Sequence, residues 1–255
     1  MKYLIILLAL SFSLFAGIVQ TAIVGVDKDS SIATIKIGQV DIGMSGFVLH
    51  TIAADHEVIL KSATVVAFNK DTHIATLALS DYKGLKNSAL PHGTWSVTPG
   101  DKVVLAFAYT RGLLIAPNED IYYKISRGVK IEWIHPDIFA TMLSADSHPT
   151  PLKEDFEKLS DSASVGLLFF FINKELIMVD AHSFKILGIN NTPFGYEKIH
   201  LPFYSRVAKI DSSWWNFWSD GNQRLSDYNS HYLYLLKKNN PNNHYLDKII
   251  KEGLK

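Results

Sequence analysis

Between residues 18 and 109 the chain is cut into short apolar, β-branched runs by clusters of turn residues, and that rhythm leaves few folds open. Residues 18–26 and 32–37 flank Asp27-Lys28-Asp29-Ser30-Ser31, a joint rich in turn formers. Residues 58–68 and 73–79 flank Asn69-Lys70-Asp71-Thr72 in the same way. In the later run Ala75, Leu77 and Leu79 share one face of a strand while Thr76 and Ser80 share the other. Thr98-Pro99-Gly100-Asp101 suits a type II turn, proline fixing φ and glycine supplying its positive value. Val103, Leu105, Phe107 and Tyr109 then alternate as one more strand. Many short strands at this spacing predict a β-rich barrel or sandwich over residues 17–110.

From Arg111 the pattern becomes mixed. Leu113-Leu114-Ile115 reads as a strand, and Asn118 can cap a helix over 119–127 whose first turn carries Glu119 and Asp120. A strand over 130–134, a helix over 137–143 and a second helix over 153–159 follow. Residues 165–172 are uninterruptedly apolar, which predicts a strand buried on both faces. Asn173-Lys174 turns that strand tightly into 176–179. Residues 111–210 therefore form a small mixed α/β region, packed on or continuous with the first. Residues 211–255 read as a helical tail. Leu225, Tyr228, Tyr232, Leu235 and Leu236 lie on one helical stripe. Lys237-Lys238-Asn239-Asn240-Pro241 supplies cations, an asparagine suited to a left-handed cap and a breaker. Asn243 can cap a last short helix carrying Leu246, Ile249 and Ile250, and Gly253 releases the end. The expected class is α+β: a β-rich barrel or sandwich, a mixed region and a helical tail.

The N-terminus reads Met1-Lys2, an apolar stretch to Phe15, then Ala16-Gly17. A charged start, a short apolar core and a small residue at the cut describe a signal peptide over residues 1–16. The stretch is shorter than the ~20 residues of a membrane span, and no later stretch is long and uncharged enough for one. The mature chain is thus expected outside the cytoplasm, in the periplasm or on the cell surface, without a transmembrane span.

Composition removes several function classes. Lys plus Arg and Asp plus Glu both number 25, and no basic stripe stands out, which argues against nucleic acid as a partner. The chain has no cysteine, so disulfides, thiolate metal sites and cysteine catalysis are ruled out, as is a lipid-anchoring cysteine.

The search for reactive groups finds no catalytic, cofactor or metal residues. Ten histidines form no ligand spacing, and the nearest pair, His50 and His56, brackets Asp55 and Glu57 across an expected turn. Ser45, in Gly43-Met44-Ser45-Gly46, misses the nucleophile-elbow spacing by one residue and reads as a turn leading into a strand. His135, Asp137 and His182 are the residues an unrecognised enzyme would have to assemble, and nothing in the sequence brings them together. The expectation is a binding protein, not an enzyme, with no cofactor.

Partner contact has two candidate sources. Trp214-Trp215-Asn216-Phe217-Trp218 is a dense aromatic cluster. On a helix, Trp214, Phe217 and Trp218 share a face while Trp215 points elsewhere. Such a cluster serves either as a plug docking the tail onto the sheet region or as a membrane-interface or partner anchor. The other source is the terminal lysines: Lys255 ends the sequence, and Lys248 and Lys251 precede it. A C-terminal lysine offers an ammonium, an aliphatic stem and a carboxylate, which a pocket with acids, an aromatic trough and a basic rim can bind.

Several motifs carry a resemblance. Gly46-Phe47-Val48 through Pro99-Gly100-Asp101, Leu114-Ile115-Ala116-Pro117-Asn118 with Tyr122, Ser183-Phe184-Lys185-Ile186-Leu187, and Pro202-Phe203-Tyr204-Ser205-Arg206-Val207 with Ile210-Asp211 occur in one order. Together they resemble the N-terminal domain family of the plasminogen-binding surface protein PgbA of Helicobacter and Campylobacter relatives, over roughly residues 20–211. The resemblance implies an envelope protein that recruits host plasminogen by presenting lysines to its kringle domains. Members can carry a longer lysine-rich tail; here Lys237, Lys238, Lys248, Lys251 and Lys255 are the residues left to play that part. The alternative expectation is a periplasmic scaffold or assembly factor of an envelope machine such as the flagellum, without plasminogen binding.

Overall fold

The computed structural model describes residues 17–27, 31–53, 56–82, 95–207, 210 and 224–253. The expected signal peptide, the Trp214–Trp218 cluster and Lys255 lie outside these residues.

The short N-terminal runs form six strands: β1 (Val19–Asp27), β2 (Ile32–Lys36), β3 (Ser45–Ala53), β4 (His56–Asn69), β5 (Ile74–Asp81) and β6 (Lys102–Leu105). They close into an antiparallel barrel in the order β1-β2-β5-β4-β3-β6, with β6 pairing back onto β1. Closure needs strong local bending, and register shifts in β1, β3 and β4 supply it. The alternation read from the sequence points inward as expected: Ile23, Ile35, Val48, Val65, Leu77 and Val103 are buried. Small Ala33, Ala63 and Ala75 are buried among them, as so narrow an interior requires. The turn at 98–101 is present, with Gly100 at φ +96° and Asp101 N–H donating to Thr98 O at 3.1 Å.

The expected strand through Phe107 and Tyr109 is a correction: β6 stops at Leu105. Ala106 and Ala108 take φ values of +56° and +59°, turning the chain out of the barrel. Tertiary contacts outweigh the alternation here. Ala106 N–H donates to Ser45 O, and Ala108 O accepts from Arg111 and Gly166 N–H groups. At Gly166 a Cβ would meet Ala108 O at 2.5 Å, so only glycine lets these two backbones approach.

The second sheet has the order β11-β10-β9-β7-β8, from β7 (Arg111–Ile115), β8 (Glu132–Ile134), β9 (Leu167–Ile172), β10 (Glu175–Asp180) and β11 (Ile186–Asn191). β8 and β9 flank β7 in parallel, while β9, β10 and β11 run antiparallel. β11 was not anticipated, because Leu187 sits at a register shift that breaks the two-residue period. Between the strands lie α1 (Glu119–Gly128), α2 (Pro136–Asp146) and α3 (Lys153–Ala163); α4 (Tyr228–Asn239) and α5 (His244–Gly253) follow the sheet. Asn118 caps α1 as expected, accepting from Ile121 N at 3.0 Å.

β9 is buried at every position. Its Phe169 and Phe171, with Leu114, Leu176 and Met178, join α1 and the barrel interior in one continuous core. Its Leu168, Phe170 and Ile172, with Ile115 and Ile177, face α2 to α5 in a second core. The sheet is therefore the shared wall of both. A buried carboxylate pins barrel to sheet: Asp180 accepts from Ser45 N (2.9 Å), Ser45 Oγ (2.8 Å), Tyr109 OH (2.6 Å), His182 N (3.0 Å) and Ser183 N (2.7 Å). Burial, and after it the neighbouring Asp180, hold the Tyr109 hydroxyl well above its usual titration range, so it remains a donor.

Candidate functional site

The sequence-level candidates inside the described region sit on the α4–α5 hairpin. α4 docks through its apolar stripe and two buried hydroxyls. Tyr228 OH donates to Ile115 O (2.9 Å) and Phe171 O (3.0 Å), and Tyr232 OH donates to Pro202 O (2.9 Å). Asp227 caps the helix, accepting from Ser230 N at 2.6 Å. Its far end departs from expectation: Asn240 has φ −131° and is not left-handed. It caps instead with its side chain, Nδ2 donating to Leu236 O and Phe184 O while Oδ1 accepts from Ile186 N. One asparagine thereby closes α4 and ties it to the start of β11.

Asn243 Oδ1 accepts from Tyr245 N (3.1 Å) and Leu246 N (3.2 Å), the cap read from the sequence. α5 buries Leu246 and Ile249, and Tyr245 OH reaches Glu175 Oε1 at 2.9 Å on β10. The opposite stripe, His244, Lys248 and Lys251, is exposed. Positions 244, 248 and 251 are four and three apart, so these side chains stand one above the other on a single face. Lys251 makes no hydrogen bond or ion pair with the described residues. Lys237 is committed elsewhere: its Nζ lies 2.5 Å from Asp247 Oδ1 and 2.8 Å from Pro241 O, bracing the two helices. The Lys237 hydrogen bond, with smaller help from nearby cations, lowers the Asp247 carboxyl below its usual range. Lys238 is exposed at the end of α4. The hairpin thus sorts the expected lysines into a structural one and an outward-facing set.

The other groups singled out in the sequence have packing roles. His50 Nδ1 lies 2.7 Å from Asp101 Oδ1, and His56 pairs across the hairpin with Ala53, not with His50. Among the described residues no group of three His, Asp or Glu side chains could hold a metal ion. Ser45 opens β3, as read, and its hydroxyl is bound to Asp180. His135 caps α2, its Nδ1 accepting from Asp137 N. Asp137 itself is gripped by Arg206, through N (2.8 Å) and Nε (2.7 Å). Burial alone would raise the Asp137 carboxyl; these two bonds outweigh it and set the group below its usual range. His182 sits at the end of β10 instead, 3.7 Å from Asp161 and 3.3 Å from Ser160 Oγ. Ser160 Oγ donates to Val165 O at 2.5 Å and is buried, which leaves it no nucleophilic role.

The motif at 202–207 is likewise structural. His200 N donates to Pro117 O and Tyr204 N to Ala116 O, so the chain lies across the carboxyl end of β7, where open α/β sheets otherwise hold ligands. Phe203 is buried against Phe139. No helix among the described residues is long and apolar enough to cross a membrane.

A sequence model of the family described as plasminogen-binding protein pgbA N-terminal matches residues 18–236. The chain belongs to this family. The plasminogen-binding protein PgbA of Helicobacter pylori strain J99 is 27% identical over 215 residues, covering 84% of this chain and 46% of that protein. PgbA of strain 26695 is 26% identical over the same shares. The chain therefore spans a little under half the length of the curated relatives it matches. The family match takes in the barrel, the second sheet and most of α4, and stops before the exposed lysines. The basic stripe of α5 lies beyond the residues that the family model matches.

Proposed function

We propose that this chain is an exported envelope protein that binds host plasminogen through lysines, with Lys248 and Lys251 of α5 and the terminal Lys255 as ligands for kringle domains. Membership of the PgbA N-terminal family carries the reading. The exposed stripe on α5 supplies a surface with suitable chemistry, since an ammonium on an extended apolar stem can enter an aromatic trough lined with acids. Export rests on the charged, apolar and small-residue order of residues 1–16. The test is capture of plasminogen by the immobilised protein. Lys248→Ala with Lys251→Ala, and separately deletion of Lys255, should each weaken capture, and a free lysine analogue should compete. Capture insensitive to all three would end the proposal.

One observation favours a second reading, a periplasmic scaffold or assembly factor without plasminogen binding: the family match stops before α5. Added protease separates the two. A surface protein is cut in intact cells; a periplasmic one is cut only after the outer membrane is opened.

A further inference from the structure

Between the barrel and α3 runs a cleft of about 450 Å³, within the ~300–1,000 Å³ typical of small-molecule sites. One wall is the outer face of β3, β4 and β5. There Phe47, Ser62 and Ser80 form one cross-strand row, and Ser45, Thr64 and Ala78 form the next. The opposite wall is one face of α3, carrying Lys153, Glu157 and Asp161, and the floor is the turn from His182 to Lys185. The barrel wall is unusual for an outward sheet face: its side chains are small and hydroxylated, with aromatic Phe47 and Tyr82 in edge contact at 5.4 Å.

The hydroxyls of Ser62, Thr64, Ser80 and Tyr82 make no hydrogen bond to any described residue. The lining lysines are committed, and so are Glu157 and Asp81. Lys153 pairs with Glu157 at 3.0 Å, Lys61 holds Asp81 at 2.6 Å, and Lys185 Nζ donates to Asn239 O at 2.6 Å. A phosphate or other strong anion would find no uncommitted cation among the described lining residues. A hydrocarbon ligand would cover hydroxyls and leave them unsatisfied, at roughly 1–3 kcal/mol each. A ligand suited to this lining is neutral, offers many hydroxyls of its own and has apolar C–H faces for the rings. We propose that the cleft is a binding site for a neutral oligosaccharide, with Ser62, Thr64 and Ser80 as hydrogen-bonding residues and Phe47 and Tyr82 as the aromatic side.

The proposal is independent of plasminogen binding, since α5 contributes nothing to the cleft lining. The experiment is calorimetric titration of the full chain with maltohexaose, cellohexaose and chitohexaose, each to millimolar concentration. At least one should bind. Thr64→Trp and Ser80→Trp, which fill the cleft, should each weaken that binding at least about tenfold. Val24→Trp, exposed on β1 across the barrel and outside the cleft lining, should leave it unchanged. Should the bulky variants fail to fold, Thr64→Val and Ser80→Ala remove the hydroxyls without adding volume and should weaken binding several-fold, in line with about 1 kcal/mol per hydrogen bond. Binding of none of the three sugars, or binding equal in all folded variants, overturns the proposal.

Discussion

One buried carboxylate carries more of the architecture than its size suggests. Asp180 is fully buried, and the donors around it come from the barrel, from the connection leaving it and from the turn after β10. Asp180→Asn keeps the shape but turns an amide N–H₂ either toward the His182 and Ser183 N–H groups, which can only donate, or toward Ser45 N–H and the Ser45 and Tyr109 hydroxyls, which must then reorient. The expected cost is about 3 kcal/mol by urea unfolding, from two or so buried donors left unpaired. A change under about 0.5 kcal/mol, the ordinary scale of a surface substitution, would show that the network does not join the two parts. His231 gives a pH signature. It is half-buried, and Nε2 lies 2.9 Å from Pro151 O. Burial lowers its folded-state titration below the usual His value, an effect only partly offset by the Pro151 carbonyl. The unfolded chain then binds the proton more readily, so stability is complete above about pH 6.5 and falls as pH drops below it. Asp137, lowered in the folded state, acts in a separate window: its contribution holds above about pH 4 and is lost on further acidification. His231→Gln, which can still donate to Pro151 O, should abolish the loss that sets in below about pH 6.5 and leave the loss below about pH 4 in place.

At the scale of elements, the turn between β9 and β10 offers a stabilising change. Asn173 and Lys174 both adopt positive φ, +48° and +70°, as a two-residue hairpin matched to the strand twist requires. Asparagine tolerates that conformation; lysine does so at roughly 1 kcal/mol. Lys174→Gly should therefore raise stability by about 0.5–1 kcal/mol, read as a higher denaturant midpoint with an unchanged slope. This hairpin was legible in the sequence because local chemistry alone determines it: an apolar run, a residue suited to positive φ, another apolar run. The same holds for the Asn118 and Asn243 caps and for the barrel strands, whose alternation survives in the buried faces. What sequence could not reveal was set by contacts distant along the chain. The turn at 106–108 depends on Gly166, β11 depends on pairing around a bulge at Leu187, and Asn240 caps α4 by reaching β11. The candidate site divides along the same line. The spacing of Lys248 and Lys251 on α5 follows from helical period. The structural use of Lys237 does not, because its partner Asp247 is ten residues away across a turn. The hydroxyl-lined cleft was invisible for the same reason. Ser62, Thr64 and Ser80 are unremarkable along the chain and become a surface only when β4 and β5 pair beside α3.

For the whole molecule, the arrangement of the cores decides how it unfolds. The barrel does not enclose a core of its own: Ile35, Val48 and Leu105 belong to the same apolar cluster as Phe169, Phe171 and Met178 of the second sheet. Removing the sheet would uncover that shared surface and strip Ser45 and Tyr109 of Asp180. It would also take away the Gly166 contact that holds the positive-φ turn at 106–108. Without the sheet residues that complete their core, six strands lined by small alanines should bury too little apolar area to offset the entropy of ordering so many residues. A fragment of residues 17–110 should therefore lack the dispersed amide spectrum of a folded barrel. The full chain should lose far-UV ellipticity and tryptophan fluorescence in coincident transitions over a denaturant series, as one cooperative unit does. Separated transitions, or a folded fragment, would mean that the barrel and the sheet have independent cores in solution. Asp180 would then be a late contact between two finished parts, and Asp180→Asn would shift neither transition by the amount argued above. The two measurements therefore test one idea from opposite ends: the family scaffold is a single body whose halves complete each other at the sheet.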